Sequence, residues 1–215
     1  MKNSDIVFAH GFGVRADGRG IFTDIAKAMP EANCITFDFN TFDSEGNTTV
    51  TSLDGQVEIL QSHIDQAEEG TALICHSQGC IVAGLANLDK IGKVIFLAPP
   101  PLISIERFIS KFGKREGSVL NLDGISSIPR SDASTTYIGK EYIDSIKSIN
   151  VPSLYKKLAQ NHKLTIVRAT EDNILGETNF DYLENVEIID IPADHDFTGE
   201  ARDELVESVK KILKS

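Results

Sequence analysis

Thr71-Ala72-Leu73-Ile74-Cys75-His76-Ser77-Gln78-Gly79-Cys80-Ile81-Val82-Ala83 joins a strand-like apolar run to an equally apolar helix-like run through a short polar turn. The turn centres on Ser77. A serine on so sharp a strand-to-helix turn has strained backbone angles, so the residues two before and two after it must be small. Cys75 and Gly79 meet that demand, although Cys75 departs from the G-x-S-x-G pattern by carrying a side chain at the first glycine position.

Working outward, strand-like runs lie at residues 6–10, 33–39, 71–75, 93–98, 164–169 and 186–191. Several are almost continuously apolar, as strands of a parallel sheet must be when both faces are covered. Between them, Phe22, Ile25, Ala26 and Met29 recur at helical spacing, as do Leu53, Val57, Leu60 and Ile64, and Leu205, Val209 and Ile212. Alternating strands and helices predict an α/β fold, an open and mostly parallel sheet with helices on both faces.

The alternation breaks after Pro99, where about 60 residues separate two strands that an ordinary crossover would join with far fewer. Ile105, Phe108, Ile109 and Phe112 mark an amphipathic helix ending at Gly113. An Asp123-Gly124 turn between residues 119–122 and 125–128 predicts a β-hairpin. Residues 1–215 therefore read as a single domain with an inserted lid at about 100–160. No internal repeat or low-complexity tract interrupts it.

Composition narrows the function. With 41% apolar and 25% charged residues, the chain has the balance of a packed globular protein. A net charge of -11 opposes binding to nucleic acid or anionic lipid and leaves neutral or cationic small substrates compatible. The apolar stretch after Met1-Lys2-Asn3-Ser4-Asp5 is too short for a signal h-region, and no run is long enough to span a bilayer, so a cytoplasmic location is expected. Cys34, Cys75 and Cys80 sit in apolar segments and read as buried thiols of a reducing compartment.

Three further segments carry candidate chemistry. His10-Gly11-Phe12-Gly13 follows the first strand, where a flexible turn could present the Phe12 N–H toward Ser77, with the Gln78 N–H as a second donor to a developing oxyanion. Val167-Arg168-Ala169-Thr170-Glu171-Asp172 brings Asp172 to the carboxyl end of a strand, where sites of open α/β sheets gather. Pro192-Ala193-Asp194-His195-Asp196-Phe197 brings His195 to the end of the last strand. His63 and His162 read as structural or surface residues, and the His76 side chain is expected to point away from the nucleophile.

The order Ser77, Asp172, His195, each at a strand's end, resembles the α/β-hydrolase superfamily over almost the whole chain. Phe37-Asp38-Phe39 followed by Ser44-Glu45-Gly46 is also similar to that family's strand and loop, with Asn40, Thr41 and Phe42 departing from it. The resemblance implies a catalytic triad in which Ser77 attacks an acyl carbon, His195 moves the proton and Asp172 orients the imidazole. It implies no metal and no organic cofactor, and no Cys/His cluster has metal-ligand spacing. A serine hydrolase cleaving a small or medium carboxylic ester is the leading expectation. A serine peptidase or aminopeptidase, or a thioesterase, would use the same triad, and a non-catalytic binding protein on this fold is the remaining alternative. The lid stripe predicts that Phe108 and Phe112 line an acyl pocket.

Overall fold

The computed structural model describes residues 5–215, so residues 1–4, on which the leader reading partly rests, lie outside the described residues. In chain order the elements are β1 (Asp5–Ala9), α1 (Ile21–Lys27), β2 (Asn33–Ile35), β3 (Thr41–Phe42), β4 (Thr48–Val50), α2 (Leu53–Gln66), β5 (Thr71–His76), α3 (Gln78–Leu85) and β6 (Ile91–Leu97). They continue as α4 (Ile105–Phe112), β7 (Ser126–Pro129), β8 (Thr135–Ile138), α5 (Lys140–Ile146), α6 (Val151–Asn161), β9 (Leu164–Ala169), β10 (Glu187–Ile191) and α7 (Glu200–Lys214).

Six strands form one sheet in the order β10-β9-β6-β5-β1-β2, every neighbouring pair parallel. Period-two alternation divides the core. Ile6 and Phe8 of β1 and Ala72 and Ile74 of β5 pack with Ile21, Phe22 and Ile25 of α1 and Leu205, Val209 and Ile212 of α7. Val7, Ala9, Leu73 and Cys75 point the other way, onto Leu60 and Ile64 of α2, Ile81 and Val82 of α3 and Tyr155 of α6. All six residues of β5 are buried, and each large side chain so removed from water contributes about 1.5–3 kcal/mol. The expected α/β architecture is therefore present, with its most deeply covered strand leading into Ser77.

A second, four-stranded sheet runs β3-β4-β8-β7. It corrects the hairpin expected at Asp123-Gly124. The observed hairpin pairs β7 with β8 across residues 130–134, closed by the Arg130 N–H on the Ser134 carbonyl at 2.9 Å. Residues 119–122 contribute only a bridge between Val119 and Ser127. Burial explains the choice: Thr136 and Ile138 are covered once β8 pairs with β4, whereas Val119 stays 61% exposed and gains nothing from a longer strand. β7 and β8 are thus joined to β3 and β4, the segment that contains Thr41 and Phe42.

Helix α4 begins at Ser104, whose hydroxyl accepts the Arg107 N–H at 3.2 Å, and its cap is Gly113 as expected. Phe108 is buried, but Ile109 turns outward and is 42% exposed, so the apolar stripe is narrower than its spacing implied. Cys75 and Cys80 are buried thiols, while Cys34 is only partly covered. Among the described residues no helix is long and apolar enough to cross a membrane.

Candidate active site

β1 and β5 are neighbours, yet the chain leaves β1 to build β2 on one side and later fills β5, β6, β9 and β10 on the other. Where crossovers diverge, a crevice opens beyond the carboxyl ends of the strands. The His10–Gly13 turn ends β1 and Ser77 ends β5, so both stand at that crevice.

Ser77 has φ 53° and ψ -123°, a left-handed conformation costly for any residue with a Cβ. Its N–H donates to the Leu97 carbonyl at 3.0 Å, and its own carbonyl accepts the Cys80 N–H at 3.0 Å, so strand and helix hold the turn from both ends. Two glycines let the backbone close around it. A Cβ on Gly79 would lie 2.2 Å from the Ala9 carbonyl oxygen, and one on Gly11 would lie 3.0 Å from the Ser77 Cβ. Cys75 is accommodated because its side chain enters the α3 side of the core.

The Ser77 hydroxyl is 2.9 Å from Nε2 of His195, and Nδ1 of His195 is 2.6 Å from Oδ2 of Asp172. The other Asp172 oxygen accepts the N–H groups of Ile174 and Leu175, both at 2.8 Å. An ionised carboxylate only accepts, so the His195 Nδ1 carries the proton and its Nε2 faces Ser77 with a lone pair. Burial works against charge on Asp172, but the hydrogen bond and charge of His195 and the two N–H groups outweigh it and hold the pKa below the usual value.

The rival acids are occupied elsewhere. Asp190 binds Arg168 through both oxygens at 2.7 and 2.6 Å, Asp194 accepts the N–H and hydroxyl of Thr198, and Asp196 pairs with Arg19 at 2.7 Å.

The Phe12 and Gln78 N–H groups have no protein acceptor among the described residues and are free to donate to a bound group. His10 holds their turn in shape. Its Nε2 accepts the Phe39 N–H at 2.8 Å, so its Nδ1 carries the hydrogen and donates to the Gly11 carbonyl at 2.8 Å. Burial lowers the His10 pKa and keeps this neutral form. Sequence reasoning treated the segment as a glycine turn and missed the histidine's clamp, which requires Phe39 from the connection between β2 and β3.

His76 turns from the nucleophile as expected but is tied to His195. Its ring avoids Ser77 but packs 4.9 Å from the His195 ring, and its Nε2–H donates to the His195 carbonyl at 2.9 Å. Its pKa is lowered to about 4 by burial and then by the charge of His195. His76, His195 and Asp196 bring ligand-type atoms within 4.8 Å of one another. Both His195 nitrogens, the His76 Nε2 and Oδ2 of Asp196 are already engaged, so a metal bound here would have to break the hydrogen bonds that join Ser77, His195 and Asp172. Of the other histidines, His63 stacks on Phe37 at 4.0 Å and His162 caps α6, both structural as expected.

Two cavities flank Ser77. The first, about 100 Å³, is mainly apolar and is lined by Phe12, Ile81, Phe108, Phe112 and Ile146 among others. Phe12 meets Phe112 at 5.6 Å and Tyr142 at 5.3 Å between ring centres. Below it, the Tyr142 hydroxyl donates to Oε1 of Gln78 at 2.5 Å, and Nε2 of Gln78 donates to Gln56 at 2.9 Å. A glutamine and a tyrosine, both distant in sequence, thus fix the side chain of the residue after Ser77, a link that no local spacing reveals. The second cavity, about 340 Å³, includes His195 and several basic side chains. Arg107 joins α4 to the loop after Asp172 through the carbonyls of Ile174 and Leu175 at 3.2 and 3.0 Å.

Residues 6–207 match the profile of the Alpha/beta hydrolase family. Solved structures with a similar fold include Est1E from Butyrivibrio proteoclasticus, at 16% identity and TM-score 0.66 over 99% of this chain and 87% of that one. A pyrethroid hydrolase from Sphingobium faniae JZ-2 aligns at 14% identity and TM-score 0.67 over 99% and 98% of the two chains. The monoacylglycerol lipase of Paleococcus ferrophilus aligns at 18% and 0.63 over 97% and 93%. No curated protein sequence matches.

Proposed function

The chain belongs to the alpha/beta hydrolase family, and from that premise we propose that it is a serine hydrolase cleaving a small or medium carboxylic ester through an acyl-enzyme on Ser77. One observation carries the reading: an unbroken hydrogen-bonded chain from the Ser77 hydroxyl through His195 to Asp172, in the tautomer that accepts the serine proton. As Ser77 Oγ attacks the acyl carbon, Nε2 takes its proton and Asp172 stabilises the imidazolium. The carbonyl oxygen, now negative, is met by the N–H groups of Phe12 and Gln78, donors in place before the charge develops. Collapse of the tetrahedral species breaks the ester bond, and His195 returns the proton to the departing oxygen. Water then repeats the sequence on the acyl-enzyme.

The apolar cavity beside Ser77 suits the acyl chain, with Phe108 and Phe112 along its wall. A thioester would follow the same course. An aminopeptidase would need a free carboxylate for the substrate's amine, and the one acid lining the two cavities beside Ser77, Asp196, is paired with Arg19.

The test is covalent labelling by a fluorophosphonate together with turnover of a chromogenic butyrate ester. Labelling and turnover in the wild type, both absent in folded Ser77→Ala, are the expected result. Turnover that survives Ser77→Ala would overturn the assignment.

A further inference from the structure

The chain carries 32 acidic and 21 basic residues, yet the groove leading away from Ser77 has the opposite balance. The cavity containing His195 shares Val14, Arg19, Arg115, Arg130 and Ser131 with a second hollow of about 390 Å³. Along the two, the bases are Arg15, Arg19, Lys111, Arg115 and Arg130, and the acids are Asp17, Asp132 and Asp196. Whole-chain charge argued for neutral or cationic substrates; the local field at this site is positive.

These cations are not simply neutralised by neighbours. Arg19 has Asp196 at 2.7 Å, and Arg15 lies over the Phe42 ring at 3.9 Å. Lys111 and Arg115, however, have no carboxylate within ion-pair distance among the described residues, and Arg130 bonds only the Gly13 carbonyl and the Thr136 hydroxyl. Asp132 spends one oxygen on the N–H and hydroxyl of Ser134. Desolvation lowers the pKa of Arg130, with the like charge of Arg19 adding to it. A partly buried guanidinium without an acid is costly and is relieved by an anion that reaches it.

The position of His195 says which part of the substrate meets this field. The imidazole that receives the serine proton must return it to the departing oxygen, so the leaving group lies on the His195 side of Ser77. His195 lines the cationic cavity and not the apolar one. We propose that Ser77 hydrolyses acyl esters whose leaving alcohol carries an anionic group, a carboxylate or a phosphate, held by Lys111, Arg115 and Arg130, with the acyl chain in the apolar cavity. The inference rests on the serine-hydrolase reading and adds the substrate class.

Matched probes test it. The butyrate esters of 3-hydroxybenzoate and 3-hydroxybenzamide have nearly the same shape and differ in charge; butyryl glycerol 3-phosphate and butyryl glycerol form the phosphate pair. Wild-type protein should favour the charged member of at least one pair by about tenfold in kcat/KM, and the pair that shows it identifies the anion. The preference should shrink on raising NaCl from about 0.02 M to about 0.5 M. Arg115→Gln and Lys111→Gln should each lower the charged-to-neutral ratio by about fivefold, and Arg115→Lys should retain most of it; a ratio within one variant cancels general damage to the fold. Equal turnover of charged and neutral members, or a ratio untouched by both glutamine variants, overturns the inference while leaving the hydrolase reading intact. Failure of fluorophosphonate to label Ser77 overturns both.

Discussion

Gly79→Ala adds one methyl group at the position where α3 comes nearest to β1, and the outcome can be worked from distances. The new Cβ would stand 2.2 Å from the Ala9 carbonyl oxygen, 2.7 Å from its carbon and 2.8 Å from the His10 carbonyl oxygen. All three are backbone atoms of a central strand and the turn after it, so no side chain can rotate aside. Relief requires α3 and β1 to separate by about 0.8 Å or more, an overpacking whose cost lies at the upper end of about 1–3 kcal/mol. The gain of about 1 kcal/mol from replacing glycine inside a helix does not offset it. For a chain of this size, the remaining net cost of about 2 kcal/mol corresponds to a fall in Tm of roughly 4–8 °C. The same separation draws the Gln78 N–H away from the Phe12 N–H, and a displacement near 1 Å costs on the order of 10²-fold in rate. Gly84→Ala, in the same helix, is the control: its Cβ would meet only side-chain atoms, the nearest the Leu154 Cβ at 3.3 Å, and stability should change by less than about 1 kcal/mol. Thermal unfolding followed by circular dichroism, with kcat/KM on a butyrate ester, checks both. A Gly79→Ala protein that melts with the wild type and turns over within about twofold of it would refute the reasoning.

Asp172→Asn should reduce kcat by about 10³–10⁴-fold. The N–H groups of Ile174 and Leu175 demand an acceptor at one side-chain position, so the new amide nitrogen must face His195 and impose the tautomer whose Nε2 carries hydrogen. Asp194→Asn, which disturbs only the Thr198 contacts, should cost less than about tenfold; equal damage from the two would exclude Asp172 as the orienting acid. His76 supplies a pH signature for stability. Its folded pKa of about 4 lies below the unfolded value near 6.5, so the unfolded chain takes up the proton first and stability falls as pH drops through that window, by on the order of 3 kcal/mol in all. Above the unfolded pKa the contribution is complete and constant. Urea unfolding at several pH values should show a shallower decline in His76→Gln than in wild type, and identical slopes would count against a neutral, buried His76.

Much of this protein is legible in its sequence because the relevant signals are local. Period-two apolar runs and helical stripes depend only on neighbouring residues, and they mark the six sheet strands and the helices α1, α2, α4 and α7 to within a few positions. Ser77, Asp172 and His195 each stand just beyond such a run, so strand-end placement picks them out without knowledge of any distance. The small residue Gly79 is equally visible, since the turn's own geometry demands it.

What only the tertiary structure decided involves partners that the chain brings from afar. The partner of His10 is the Phe39 N–H, His76 supports the loop of a histidine more than a hundred positions away, and Gln78 is held by Gln56 and Tyr142. The hairpin of the insertion was set by β4, which offered Thr136 and Ile138 a surface that Val119 never finds. The charge of the site is the clearest case. Arg19 follows β1, Lys111 lies in the last turn of α4, Arg115 follows that helix and Arg130 follows β7, four positions whose sum over the chain is swamped by 32 acids. Net charge is a count without coordinates, whereas the field at Ser77 depends on inverse distance, and distance exists only after folding.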